Sequence, residues 1–114
     1  MGKIRVLCGG HFRKIHGGHI YFLKKAKSFG DYLIVVISND KLHLKKYRGD
    51  FIPAQRRKKN LEKIKIADEV VIGANPVDYN EIIKKFKPDI VVLGYDQNIK
   101  LNIPKLKILR VGKF

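Results

Sequence analysis

The sequence predicts a single α/β domain built on a five-stranded, doubly wound parallel sheet. Short apolar runs alternate with helical patterns along the whole chain, as expected of parallel strands joined by right-handed helical crossovers. At 114 residues the chain suits one domain with one real core. No internal repeat, low-complexity tract or linker divides it.

Residues 3–7, Lys-Ile-Arg-Val-Leu, read as a short buried strand ending at Cys8. A glycine-rich turn follows over residues 9–17, and residues 20–29 read as an amphipathic helix. Its core stripe is Phe22, Leu23, Ala26 and Phe29, and Gly30 stops it. Residues 32–38 are a nearly continuous apolar run, the pattern of a parallel strand covered on both faces. Residues 41–49 are basic and read as a loop or a short frayed helix. Pro53 opens a second helix, with Leu61 and Ile64 on its apolar side and Arg57 one turn before Leu61. Residues 69–72 form a third strand, closed by Gly73. Asp78 and Glu81 resemble a capping box before a helix whose stripe is Tyr79, Ile82, Ile83 and Phe86. Pro88 ends that helix. Residues 89–93 form a fourth strand, 94–98 a polar loop, and 106–111 a fifth strand.

Chemistry concentrates in the first turn, Cys8-Gly9-Gly10-His11-Phe12-Arg13-Lys14-Ile15-His16-Gly17-Gly18-His19. Glycines let backbone approach a ligand, and a helix N-terminus presents unpaired N–H groups with partial positive charge. That pairing favours phosphate, and two imidazoles three residues apart add donors beside it. The bland alternative is a tight connection carrying two surface histidines. No Gly-Lys-Ser/Thr follows the glycines, and Gly-x-Gly-x-x-Gly is missing, so this is neither a Walker loop nor a dinucleotide fingerprint.

The pattern Gly10-x-Phe12-x-x-x-His16-x-Gly18-His19 resembles the first signature of the HxGH nucleotidyltransferases. Within them it is similar to the cytidylyltransferase-like branch, which holds the archaeal FAD synthases and the glycerol-3-phosphate cytidylyltransferases. The resemblance implies a Rossmann-like sheet of order 3-2-1-4-5, with strands one and four bordering the ligand crevice. It implies catalytic roles for His16, His19, Lys46 (with Lys45 adjacent) and Arg57. It implies nucleotide binding by Gly9, Gly10, His11, Phe12, His16, Gly18, His19, Asp96 and Gln97. Gly94-Tyr95-Asp96-Gln97 resembles the Gly-x-Asp-Gln of the archaeal FAD synthases.

The activity implied is transfer of AMP or CMP from ATP or CTP to a phosphorylated acceptor of the FMN or glycerol 3-phosphate type, releasing pyrophosphate. Mg²⁺ is expected to arrive with the nucleoside triphosphate, with no metal site of the protein's own. Two motif positions depart from the family: His11 stands where it has Thr, and Arg13 where it has Asp. Arg13 is expected to point into the crevice and hold an anion. The chain contains no Thr, so the family's late Arg-x-x-Gly-x-Ser-Thr motif has no counterpart.

Bulk properties bound the rest. A net charge of +15 implies anionic partners. No apolar run approaches the ~20 residues of a membrane span, and no leader pattern precedes the first strand. The lone Cys8 has no disulfide partner, and the expected compartment is the cytoplasm. A homodimer is compatible with these features. Two rival functions remain: a nucleotide-binding module of the same fold without turnover, and a basic nucleic-acid-binding protein. No nucleic-acid motif accompanies the charge.

Overall fold

The structure, a computed structural model, describes residues 3–75, 78–95, 97, 103 and 105–112. The elements run β1 (Arg5–Gly10), α1 (Gly17–Ser28), β2 (Tyr32–Ile37), α2 (Asp40–Lys46), α3 (Ala54–Ile64), β3 (Glu69–Ile72), α4 (Tyr79–Phe86), β4 (Ile90–Leu93) and β5 (Lys107–Arg110). All strand pairings are parallel, in the order β3-β2-β1-β4-β5. The predicted fold class and strand order both hold.

Alternation along the strands splits the core between two faces. Val6 and Cys8 point to one side with Leu33, Val35 and Ile37, where Leu23 and Ala26 of α1 and Leu61 of α3 cover them. Leu7, Ile34, Val91 and Leu93 point to the other, against Phe86 and the partly buried Ile82 and Ile83 of α4. Both faces being covered explains why the strands read as apolar runs rather than as alternation.

The amino ends of the strands are tied by carboxylates. Asp31, Asp68 and Asp89, each just before a strand, accept from the backbone N–H of Ile4, Leu33 and Arg5 respectively, all at 2.8 Å. Each thereby satisfies an N–H at the start of a neighbouring strand, and all these carboxylates sit at the edge opposite the strand ends that carry the histidines.

Several boundaries differ from the sequence reading. β1 runs on to Gly10, because Gly9 and Gly10 keep pairing with Val36 and Ile37 of β2. A Cβ on Gly9 would meet the Val36 carbonyl oxygen at 3.0 Å, so only glycine fits comfortably there. α1 starts at Gly17, ahead of its apolar stripe, because His16 caps it. The basic stretch is a helix: Asn39 Oδ1 accepts from Leu42 N at 2.8 Å and starts α2. Its single buried residue is His43, while Leu42 and Leu44 are exposed. Pro53 is the N-cap of α3 rather than its first helical residue.

Candidate active site

The winding reverses between β1 and β4, and a crevice of about 680 Å³ opens at their carboxyl ends. Gly9, Gly10, His11, Phe12, His16, Gly18, His19, Lys46 and Gln97 all line it. Of the residues the resemblance singles out, this leaves Arg57, which lies behind the wall, and Asp96, which lies outside the described residues.

The entrance of α1 is shaped by the two histidines. His16 Nδ1 accepts from Gly18 N at 3.0 Å, and His19 Nδ1 accepts from His16 N at 3.3 Å. A ring nitrogen that accepts cannot carry the proton, so in the neutral form both imidazoles are protonated on Nε2. The rings stack, with centroids 4.0 Å apart and planes at 29°. Gly18 permits this packing, since a Cβ there would come within 2.9 Å of the His16 ring. Burial pushes the His19 pKa below its ordinary value, and the neighbouring His16 adds to the shift. A hydrogen bond to the Lys14 backbone opposes the shift, and the balance favours the neutral ring relative to a free histidine.

The turn before α1 is held under strain. Phe12 takes φ 47°, a left-handed conformation that side chains rarely adopt, yet it is buried. Its ring lies 3.1 Å from where a Gly10 Cβ would stand and 5.2 Å from the His19 ring centroid. Phe12 thus plugs the core below the turn and backs the imidazole above it.

On the other side of β1, α2 brings Lys46 to the crevice from its last turn. Behind it lies a polar cluster that the sequence only partly announced. Arg57 is fully buried. Its Nε donates to the Ile52 carbonyl at 2.7 Å, and one terminal nitrogen donates to the His11 carbonyl at 3.1 Å and to Ser38 Oγ at 2.9 Å. The other lies 3.6 Å from Asp40. Expected as a catalytic contact, Arg57 is occupied instead in fixing the backbone at His11, and it lines no part of the crevice. His11 lies with its Nδ1 2.7 Å from Ser38 Oγ and 3.2 Å from His43 Nδ1. Burial lowers the His11 pKa to about 4, with Lys46, His43 and Arg57 adding to the shift.

Arg13 also differs from expectation. Its Nε donates to the Asp50 carbonyl at 2.6 Å, its terminal nitrogen pairs with the Asp50 carboxylate at 3.2 Å, and its guanidinium lies 5.7 Å from the Tyr47 ring centroid. It is directed at the segment between α2 and α3 rather than into the crevice, because Asp50 offers both a carboxylate and a carbonyl to one planar fork. Ser38, His43, Tyr47 and Asp50 were missed in the sequence. Only Ser38, at the end of a strand beside the first turn, carried a positional cue.

The β4 side is tied to β1 through Gln97. Its Oε1 accepts from Gly94 N at 2.7 Å and its Nε2 donates to the Gly9 carbonyl at 2.9 Å. Arg110 of β5 donates to the carbonyls of Gly94 and Gln97, both at 2.7 Å, and so holds the same turn.

The described crevice lining contains imidazoles, glycine backbone and a lysine, and no carboxylate. Among the described residues no three His, Cys, Asp or Glu gather as a metal-ligand set. Such a donor set suits phosphate oxygens.

The family model for cytidylyltransferase-like proteins matches residues 7–111. The FAD synthase of Thermococcus onnurineus is 42% identical over 112 residues, covering 96% of this chain and 74% of that protein. The FAD synthase of Pyrococcus horikoshii is 41% identical over 111 residues, with 96% and 75% coverage. Among solved structures, the lipopolysaccharide core biosynthesis protein from Thermoplasma volcanium matches with a TM-score of 0.88 and 32% identity, over 99% of each chain.

Proposed function

The chain belongs to the cytidylyltransferase-like family, and from that premise we propose that this nucleotidyltransferase moves AMP from ATP onto the phosphate of FMN, forming FAD and pyrophosphate. The observation that carries this reading is a second, apolar cavity beside the crevice. It measures about 250 Å³ and lies between the sheet and α4, walled by Val91, Leu93, Ile82, Ile83 and Leu42. Gly9, Gly10, His11, Lys46 and Gln97 line both spaces. FMN joins a flat, largely apolar ring system to a phosphate monoester. The ring suits the apolar cavity, and the phosphate then falls at the shared wall. Glycerol 3-phosphate has no ring and would leave that cavity empty. The relatives named as FAD synthases support the same acceptor.

In the reaction, an FMN phosphate oxygen attacks the α-phosphate of ATP in line. The bond from the α-phosphorus to the oxygen bridging to the β-phosphorus breaks, and pyrophosphate leaves with the electron pair. No protein nucleophile takes part. His16 and His19 donate from Nε2 to the charge growing on the transferring group, while Lys46 offsets charge on the phosphates. Mg²⁺ enters with the nucleotide as substrate. The protein's contribution is positioning and charge stabilisation.

The test is to incubate ATP or CTP with FMN or glycerol 3-phosphate in the presence of Mg²⁺, reading pyrophosphate and FAD. Pyrophosphate and FAD are expected from ATP with FMN. Turnover confined to CTP with glycerol 3-phosphate would overturn the acceptor assignment. ATP binding with no pyrophosphate from any pair would reduce the protein to a nucleotide-binding module.

A further inference from the structure

The buried cluster behind His11 has a proton arrangement that can be worked out. His43 is fully buried, and its Nε2 has no hydrogen-bond partner among the described residues. A buried bare acceptor costs less than a buried orphan N–H, which is rare in folded proteins. The His43 proton therefore sits on Nδ1, 3.2 Å from His11 Nδ1, and donates to it. Arg57 can only donate, so it fills an acceptor site on Ser38 Oγ. That leaves the Ser38 hydroxyl hydrogen free to donate to His11 Nδ1 at 2.7 Å. The single lone pair of His11 Nδ1 takes one of these two donors at a time, and with either in place the His11 proton sits on Nε2. His11 Nε2 is not among the buried atoms left without a partner, and the ring lines both the polar crevice and the apolar cavity. An Nε2–H on this ring has the junction of the two spaces within its reach.

We propose that His11 is a phosphate-binding residue that holds the acceptor's attacking phosphate through a fixed, neutral Nε2–H, with Ser38 and His43 as positioning residues that set its tautomer. This deepens the FMN reading and rests on it for the identity of the acceptor. Neutrality matters to the chemistry. A phosphate monoester has its second pKa near ~6, close to that of an ordinary imidazolium, so an unperturbed histidine would share its proton with the nucleophile. With its pKa lowered to about 4, His11 orients the phosphate and keeps its own proton while the phosphate oxygen bonds to the α-phosphorus. A threonine hydroxyl in this place could offer a donor, but not one whose direction is set by a ring buttressed from behind.

The first measurement is long-range ¹H–¹⁵N NMR of the histidine rings in the ligand-free protein. His11 is expected as the neutral Nε2–H tautomer from pH 7 down to about pH 5. A proton on Nδ1, or a titration near pH 6.5, overturns the proposal. Ser38→Ala combined with His43→Phe should introduce the Nδ1–H tautomer or raise the His11 pKa; unchanged spectra in the double variant would overturn the positioning roles. Inorganic phosphate should shift the His11 Nε2–H resonance, and no shift would count against the site. In turnover, His11→Ala should raise the KM for FMN by about ten- to a hundredfold, the loss of one hydrogen bond to a charged group, with a much smaller change in the KM for ATP. Equal effects on both substrates would overturn the acceptor assignment of His11. If the wild-type protein made no FAD yet showed the expected tautomer and phosphate shift, the FMN reading would fail while the phosphate site stood.

Discussion

His16 caps α1 through Nδ1 while its ring lines the crevice, so one side chain serves both the fold and the candidate site. His16→Ala removes both and should cost about 1 kcal/mol of stability through the lost cap, besides activity. His16→Asn separates them. Asparagine is a good N-cap, but its short amide cannot reach where Nε2 stands. We expect His16→Asn to unfold within about 0.5 kcal/mol of wild type in urea while turnover falls by ~10²–10³, the usual loss for one preorganised donor. Wild-type turnover in that variant would remove His16 from the chemistry. The His-x-Gly-His spacing drew attention to His16 and His19 through the resemblance, while the capping box that the same interval builds at the start of α1 went unread. The His11–His43 contact was invisible, since it joins residues from two elements and only a tertiary distance reveals it.

At the scale of elements, α2 shows why part of the site could not be read. Helices are recognised by an apolar stripe, and the residue that α2 buries is a histidine. Its leucines stay exposed rather than entering the core, so the pattern pointed away from a helix. α3 and α4 end on Lys65 and Lys87 at φ 61° and 49°, without the glycine that usually marks a left-handed stop. Arg13 belongs to this scale because it joins the turn after β1 to the segment after α2. Its pair with Asp50 holds Tyr47, and the Lys46 amine lies 5.5 Å from the same ring. Arg13→Asp places like charges together and should free this segment, weakening ATP binding about three- to tenfold through Lys46. The paired reversal Arg13→Asp with Asp50→Arg should recover part of the loss. An unchanged dissociation constant in the single variant, measured by calorimetry, would show that the clasp does not govern the crevice.

For the molecule as a whole, apolar runs and turn residues made the parallel α/β sheet legible, and the resemblance supplied its strand order. The distribution of charge was not, since composition reports a sum and not a place. The net charge is +15, yet Asp31, Asp68 and Asp89 gather at the amino ends of the strands, and the described crevice lining carries no carboxylate at all. The field at the crevice therefore has a near part, chiefly Lys46, and a distant part from lysines over the rest of the surface. Salt separates them. The Debye length is about 30 Å at 0.01 M and about 8 Å at 0.15 M, against a radius of gyration of 13.5 Å. At the lower salt every surface lysine acts on an incoming nucleotide; at the higher, only charges beside the crevice do. The KM for ATP should therefore rise severalfold between 0.01 and 0.15 M KCl and change much less above that range. Lys46→Ala should raise KM at every salt concentration without flattening the low-salt rise. A rise that continued unabated to 0.5 M would mean that nearby ion pairing dominates throughout, and a flat profile from 0.01 M would mean that the distant lysines contribute nothing to substrate capture.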